Sequence, residues 1–224
     1  MTRAWRGLLE GGRAGMTELA KVLSYLSKPS QVSDHGTSCC TNARMWIRAF
    51  DRSAAFSDGN WRPPTWIRER YSWGPRRWPI AWCQIPDSEV LDCGGLAGIA
   101  TEVFRMRGES ASPIQLVLRY SPLVAAGWRA MWERAGESGD WVSGGLCYHE
   151  ATAVARAGRL SIWDPSENRW IEPDVATTAS SSGVVALNLA RDATWSGASI
   201  VWGLTELRVG QWTVLHVDEA SPGK

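Results

Sequence analysis

The apolar positions of this chain fall into two periodicities, helical in its first half and strand-like after about residue 110. In "GMTELAKVLSYLSK", residues 15–28, Leu19, Val22, Leu23 and Leu26 recur at helical spacing, and Lys28-Pro29 closes the run. A second, short helix is expected over Asn42–Asp51. Residues 57–86 are rich in Trp, Arg and Pro, and repeated prolines forbid long regular elements there. An ordered, Trp-pinned loop with short extended pieces is expected. The clearest helix follows in "LDCGGLAGIATEVFRMRG", where Leu96, Ile99, Ala100, Val103 and Phe104 form one apolar stripe and Gly108 stops it.

Beyond Gly108 the period shortens. "IQLVLRY", residues 114–120, predicts a strand, Leu123–Glu133 a helix, and the Gly/Ser-rich stretch up to Gly145 a loop. "CYHEATAVA", "RLSIWD" and "NRWIEP" are β-prone runs split by turns at Ala157-Gly158 and Pro165-Ser166, the pattern of an antiparallel meander. "ATTASSS", residues 176–182, reads as a linker, with strands returning at 184–189, 198–202 and 212–217. Helices first and strands later predict an α+β fold. At 224 residues without repeats, one domain is expected: a core over about 80–217 and a helical, Trp-rich N-terminal extension over 1–79. Residues 1–15 carry little pattern, which leaves Met16 beside Met1 as a candidate start.

Composition narrows the function classes. A net charge of +1 gives no electrostatic reason to bind nucleic acid or an acidic membrane. There are 15 Trp against 4 Tyr and 3 Phe, so Trp carries most of the aromatic packing. Neither a signal-peptide-like run nor a membrane-length apolar span occurs, so a reduced, cytoplasmic setting is expected. The 5 cysteines, at 39, 40, 83, 93 and 147, contain no CxxC pair and thus no zinc-ribbon pattern. Cys39, Cys40, Cys83 and Cys147 read as structural or incidental, and His35 and His216 show no partner pattern. A metal site built from His149, Asp164 and a cysteine matches no compact ligand spacing. Neither a metal nor a cofactor is expected.

Three residues carry the candidate chemistry. Cys93 stands where a helix begins, and a helix N-terminus favours a thiolate; Asp92 before it can cap that helix, although a carboxylate beside a thiol opposes its ionisation. Gly94 and Gly95 leave room for a substrate backbone to approach the sulfur. His149 lies in one β-prone run and Asp164 at the end of the next, and a hairpin about Gly158 brings the two together as base and orienting acid.

"DCGGLAGIATEVFRMRGESASPIQLVL" and "YHEATAVARAGRLSIWDPSENRW" resemble the two core blocks of transglutaminase-like cysteine enzymes, over about residues 80–173. The resemblance implies a papain-like α+β fold, with the nucleophile-bearing helix packed on an antiparallel sheet. It implies Cys93 as nucleophile, His149 as general base and acid, and Asp164 as the residue that orients the histidine. It further points to Gln84, or through its indole N–H Trp82, as the donor that joins the Cys93 N–H in an oxyanion hole. Two features depart from the family pattern: glycines replace the aromatic that usually follows the cysteine, and Glu150 follows His149 directly. The Trp-rich insertion between Trp128 and Trp141 is expected to shape the pocket.

The function expected from this is amide or ester chemistry through a Cys93 thioester, a peptidase or an acyl transferase acting on a peptide or other amide-containing substrate. The superfamily's natural-product members extend that to a leader- or carrier-bound substrate. The alternative is a peptide-binding protein that keeps the fold without catalysis, supported by the Trp-rich stretch 57–86.

Overall fold

The computed structural model describes residues 13–25, 32–55, 63–76, 80–173, 183–189 and 200–215. Among the described residues, three elements precede the core: α1 (Arg13–Tyr25), α2 (Ser38–Ala55) and the short α3 (Trp66–Arg70). Two short strands, β1 (Ser72–Trp73) and β2 (Val90–Leu91), pair in parallel and flank a 3-10 turn at Trp82–Gln84. Then come α4 (Cys93–Met106), β3 (Ser110–Arg119), α5 (Pro122–Arg134), β4 (Val142–Ser143), β5 (Leu146–Arg156), β6 (Arg159–Asp164) and β7 (Arg169–Ile171). β8 (Gly183–Leu189), β9 (Ile200–Trp202), β10 (Thr205–Leu207) and β11 (Trp212–Val214) complete the described elements. The chain is thus mixed α+β, with a nine-stranded sheet in the order β10-β9-β6-β5-β3-β8-β11, β4 added on β5 and β7 on β6. Its pairings are antiparallel except β6 with β9.

Strand alternation divides the sheet into two unlike faces. Ala111 and Val117 of β3, Thr152 and Val154 of β5 and Trp163 of β6 face the helices. There α4 buries Leu96, Ile99, Ala100, Val103 and Phe104, the stripe its sequence announces, and α2 packs on the far side of α4 through Ile47 and Ala43. Thr152 Oγ1 donates to the Ala97 carbonyl at 3.0 Å and so accepts from Thr101 at 3.2 Å, two polar pins in an otherwise apolar contact. Next to it, α1 and α5 cover the same face through Leu19, Val22, Ala125 and Trp132. The opposite face holds Ile114, Leu116, Leu118, Ala151, Ala153, Leu160, Ile162, Leu187 and Leu189, and every buried member of that cluster comes from a strand.

Several expected elements differ in extent for physical reasons. α2 starts well before Asn42, because Thr37 serves as its cap: its hydroxyl accepts from the Cys40 N–H at 3.4 Å and its carbonyl from the Thr41 N–H at 3.2 Å. β3 runs through Pro113, which cannot donate to a neighbouring strand; pairing with β8 begins only at Ile114, so no ladder bond is lost on that side. The Trp-rich stretch, in its described part, carries the expected short extended piece at β1, and beyond that expectation the helix α3 and the 3-10 turn. β10 answers no expected strand, since three residues are too few to show a period. The expected linker 176–182 and His216 lie outside the described residues. No helix among the described residues is long and apolar enough to cross a membrane.

Phe104 is fully buried, its ring centre 6.1 Å from that of Trp170, whereas Leu123 on α5 is 84% exposed. Phe104→Ala is therefore expected to lower unfolding free energy by about 3–5 kcal/mol, and Leu123→Ala to stay within about 0.5 kcal/mol, in urea unfolding followed by circular dichroism.

Candidate active site

The site forms where the outer edge of β5 is left open. β4 covers that edge at Leu146 and Cys147, and β6 covers it from Thr152 to Arg156. Backbone N–H groups alternate sides along a strand, and the Tyr148 N–H donates away from β3, to the Trp141 carbonyl at 2.9 Å. The Glu150 N–H points the same way and meets neither β4 nor β6. It faces the sulfur of Cys93 instead, which the first turn of α4 brings to this opening.

Two local devices position Cys93. Asp92 is extended (φ −80°, ψ −178°), and its carboxylate accepts from the Gly95 N–H at 2.8 Å, a side-chain cap that fixes where the helix starts. Gly95 also packs closely: a Cβ there would stand 3.3 Å from the Leu91 side chain and 3.5 Å from the Asp92 carboxylate. Gly94 is likewise buried in the first turn. The space that both glycines free is bounded by protein on the Gly95 side.

His149 and Asp164 meet as the hairpin requires. Ala157 (φ 49°) and Gly158 (φ 76°) are both left-handed, the geometry of a two-residue turn that matches strand twist. The register it sets pairs Arg156 with Arg159 and runs to Thr152 opposite Trp163. One step further Asp164 faces Ala151, and His149 lies two residues along on the same face. The His149 Nε2–H donates to Asp164 Oδ2 at 2.9 Å, a carboxylate being able only to accept. The other carboxylate oxygen, Oδ1, accepts from the N–H groups of Ser166 at 2.8 Å and Glu167 at 3.3 Å, so Asp164 is held from both sides with no exposed surface. His149 Nδ1 has no hydrogen bond among the described residues, and none joins Cys93 to His149.

The electrostatics follow from burial and from the crowd of carboxylates. For His149, burial favours the neutral ring, but the charge and hydrogen bond of Asp164 outweigh it and raise the pKa above 6.5. Burial opposes ionisation of Asp164 too, yet His149 and the Ser166 and Glu167 N–H groups hold its pKa below 3.8. Cys93 goes the other way: burial, then the charges of Asp92, Glu150 and Asp164 push the thiol well above 9.0, against the pull of the Glu150 N–H. The field of Asp164 thus reaches both the imidazole and the sulfur. Burial also pushes Asp92 up to about 7, although the Gly95 N–H and Arg76 oppose it. The thiol at rest is protonated, and the expected help from the helix N-terminus does not overcome its surroundings.

The two candidate oxyanion donors make other contacts, neither of which uses the N–H in question. Gln84 is exposed, and its carboxamide oxygen accepts from the Ala81 N–H at 2.8 Å. Trp82 is buried in the α2–α4 core, with the Arg44 guanidinium 4.9 Å from its ring centre. No hydrogen bond joins either residue to Cys93 among the described residues. The tryptophans of the 128–141 region form a mutual cluster, with Trp132 4.8 Å from Trp141 and Trp73 4.9 Å from Trp132. This cluster lines the helices behind β4, beside the opening.

Sequence reasoning missed a polar row on the helix-facing side. Asn188, Gln115 and Glu150 lie directly opposite one another across β8, β3 and β5. Asn188 Nδ2 donates to Gln115 Oε1 at 2.9 Å, Gln115 Nε2 to the Tyr148 hydroxyl at 3.3 Å, and that hydroxyl to Glu150. Only the strand register aligns them, so no spacing in the sequence signals the row. Comparison with known proteins adds no name: neither protein-family models, nor curated proteins, nor solved structures yield a match to this chain.

Two measurements follow. The Asp92 carboxyl ionises from about 3.8 in an unfolded chain but only near 7 in the fold, so its contribution to stability falls as pH rises through that window. Asp92→Asn, which still caps a helix, is expected to gain on the parent protein by on the order of a few kcal/mol between pH 4 and 7 in paired thermal melts; parallel curves would refute this. Asp164→Ala strips His149 and two backbone N–H groups of their acceptor and is expected to cost about 2–4 kcal/mol in denaturant unfolding at pH 6.

Proposed function

We propose that this protein is a cysteine-dependent acyl-transfer enzyme, with a papain-like arrangement of a nucleophile-bearing helix against a sheet, in which Cys93 forms a thioester with an amide or ester substrate. The observation that carries the reading is the buried His149–Asp164 hydrogen bond at the one opening of β5 where helix α4 delivers a sulfur. Asp164 occupies Nε2 and thereby fixes the tautomer in which Nδ1 carries the lone pair.

The mechanism built on these groups runs through proton transfer. Nδ1 of neutral His149 takes the proton from the Cys93 thiol as the sulfur attacks the carbonyl carbon, so thiolate is made only when substrate arrives. The imidazolium so formed sits against the Asp164 carboxylate, which favours its charge. The Cys93 N–H stabilises the developing oxyanion, since the Gly94 and Gly95 N–H groups are held by the Asp92 carboxylate. His149 then returns the proton to the leaving amine or alcohol, and water or an amine releases the acyl group by the reverse path. A raised thiol pKa suits this order, because a neutral thiol spares the cost of a buried anion beside Asp92 and Glu150. The substrate class is a peptide or another amide, with a leader or carrier segment as its extension. A single catalytic unit around residues 80–217 is part of the same proposal.

One observation favours a second reading, a peptide-binding protein without catalysis: burial, with the charges of Asp92, Glu150 and Asp164, disfavours the thiolate at Cys93. Incubation with p-nitrophenyl acetate separates the two. The enzyme reading expects a nitrophenol burst with one acetyl group on Cys93 by peptide mapping, lost in Cys93→Ala and slowed about 10²–10⁴-fold in His149→Ala. Its rate is expected to rise with pH through a midpoint above 6.5, since His149 must shed its proton before it can act as a base. Acetylation that tracks exposure, with exposed Cys39 modified ahead of Cys93 and no effect of His149→Ala, would overturn it.

A further inference from the structure

Outside the candidate active site, a second group of sulfur and nitrogen ligands converges at the first turn of α2. One ligand atom each from His35, Cys40 and Cys83 lies within 4.8 Å of the other two. Cys39 lies in the same neighbourhood, close enough for its side chain to act on the Cys83 thiol. Sequence spacing hid this group. Its members come from a connecting segment, a helix start and a 3-10 turn some forty residues on, and no compact zinc pattern joins them.

The backbone makes the convergence a built feature. Ser33 and Ala81 form a parallel bridge, with the Ser33 N–H donating to Ile80 O at 2.8 Å and the Trp82 N–H to Ser33 O at 3.1 Å. This bridge lays the segment that leads to His35 alongside the turn that carries Cys83. Cys40 enters from the first turn of α2, where Thr37 accepts its N–H, and a helix N-terminus favours a thiolate ligand. The Ser33 hydroxyl donates to Ile80 O at 3.2 Å, so it accepts from His35 Nε2 at 3.3 Å. A metal-binding histidine commonly donates from its second ring nitrogen to such a partner, which leaves the first one's lone pair for the ion.

We propose that His35, Cys40 and Cys83 bind a divalent cation of the zinc class, with Cys39 or a water as fourth ligand. Soft thiolate with imidazole selects zinc over magnesium or calcium. With zinc–sulfur bonds of about 2.3 Å, tetrahedral ligands stand about 3.7 Å apart, so the trio closes on an ion by about 1 Å. Each Cys that binds gives up its thiol proton to solvent as its sulfur–metal bond forms; no electron is transferred. The bound ion would staple the start of α2 and the His35 segment to the turn that precedes the Cys93 helix. A disulfide between Cys40 and Cys83 would use the same sulfurs but leave the placement of His35 unexplained.

The test uses the full chain, purified with reductant, stripped with chelator and dialysed against zinc or cobalt. One equivalent of zinc is expected to remain by elemental analysis, and cobalt to give the sulfur-to-metal charge-transfer and visible bands of a tetrahedral thiolate site. Cys83→Ser and Cys40→Ser are expected to lose those bands. His35→Ala, at an exposed position that does not threaten folding, is expected to weaken binding about tenfold or more. Cys93→Ser is expected to bind as the parent does, which separates this site from the catalytic thiol. Failure of the folded protein to retain metal, retention unchanged in Cys83→Ser or in His35→Ala, or a Cys40–Cys83 disulfide by mass in place of metal would each overturn the proposal.

Discussion

Charge buried at the mouth of one hairpin is the constraint on which this structure depends. Asp164 has no exposed surface and His149 almost none; burial disfavours charge on either, and the bond between them favours it. Their bond therefore demands that β5 and β6 keep one register, which the left-handed Ala157-Gly158 turn enforces. A slip of one residue would turn His149 toward the helices and set Glu150 in its place. The hairpin carries a chemical pair, and that pair discriminates between its registers.

The helices answer a different demand. The stripe of α4 is apolar throughout, so its packing alone would leave the helix free to slide along the sheet. Thr101, Thr152 and the Ala97 carbonyl remove that freedom by a bond network that exists at one position only. The Asp92 cap then decides which residue occupies the first turn, and so which residue reaches the open edge of β5. The same cap places a carboxyl next to the sulfur. Anchoring and electrostatics conflict at this point: burial answers by pushing Asp92 toward its neutral form near neutral pH.

What the sequence made legible follows from how local each signal is. The α4 stripe, the Gly108 stop and the Ala157-Gly158 hairpin each lie within a few turns of chain, and all three are found where the pattern puts them. The His149–Asp164 pairing was readable for the same reason, being set by one turn. Features made by distant strands were not. The row Asn188–Gln115–Glu150 exists only through the pairing of β8, β3 and β5, and the grouping of His35, Cys40 and Cys83 only through the Ser33–Ala81 bridge. The start of α2 was misjudged because Ser38, Cys39 and Thr41 carry no apolar period, while Thr37 caps them without regard to hydropathy. The helix position that favours a Cys93 thiolate is visible in sequence, and the desolvation that opposes it is not.

The open edge of β5 separates two kinds of assembly. His149 and Asp164 are tied by a short hairpin and keep their bond whether or not anything occupies the gap beside Glu150. Cys93 is supplied by another element, whose first turn is held by a single side-chain cap. The base and its acid are thus permanent fixtures, and the nucleophile is a docked part. Fraying of that first turn would withdraw the sulfur and unseat Leu96 from the core, while the hairpin that holds His149 and Asp164 stays paired.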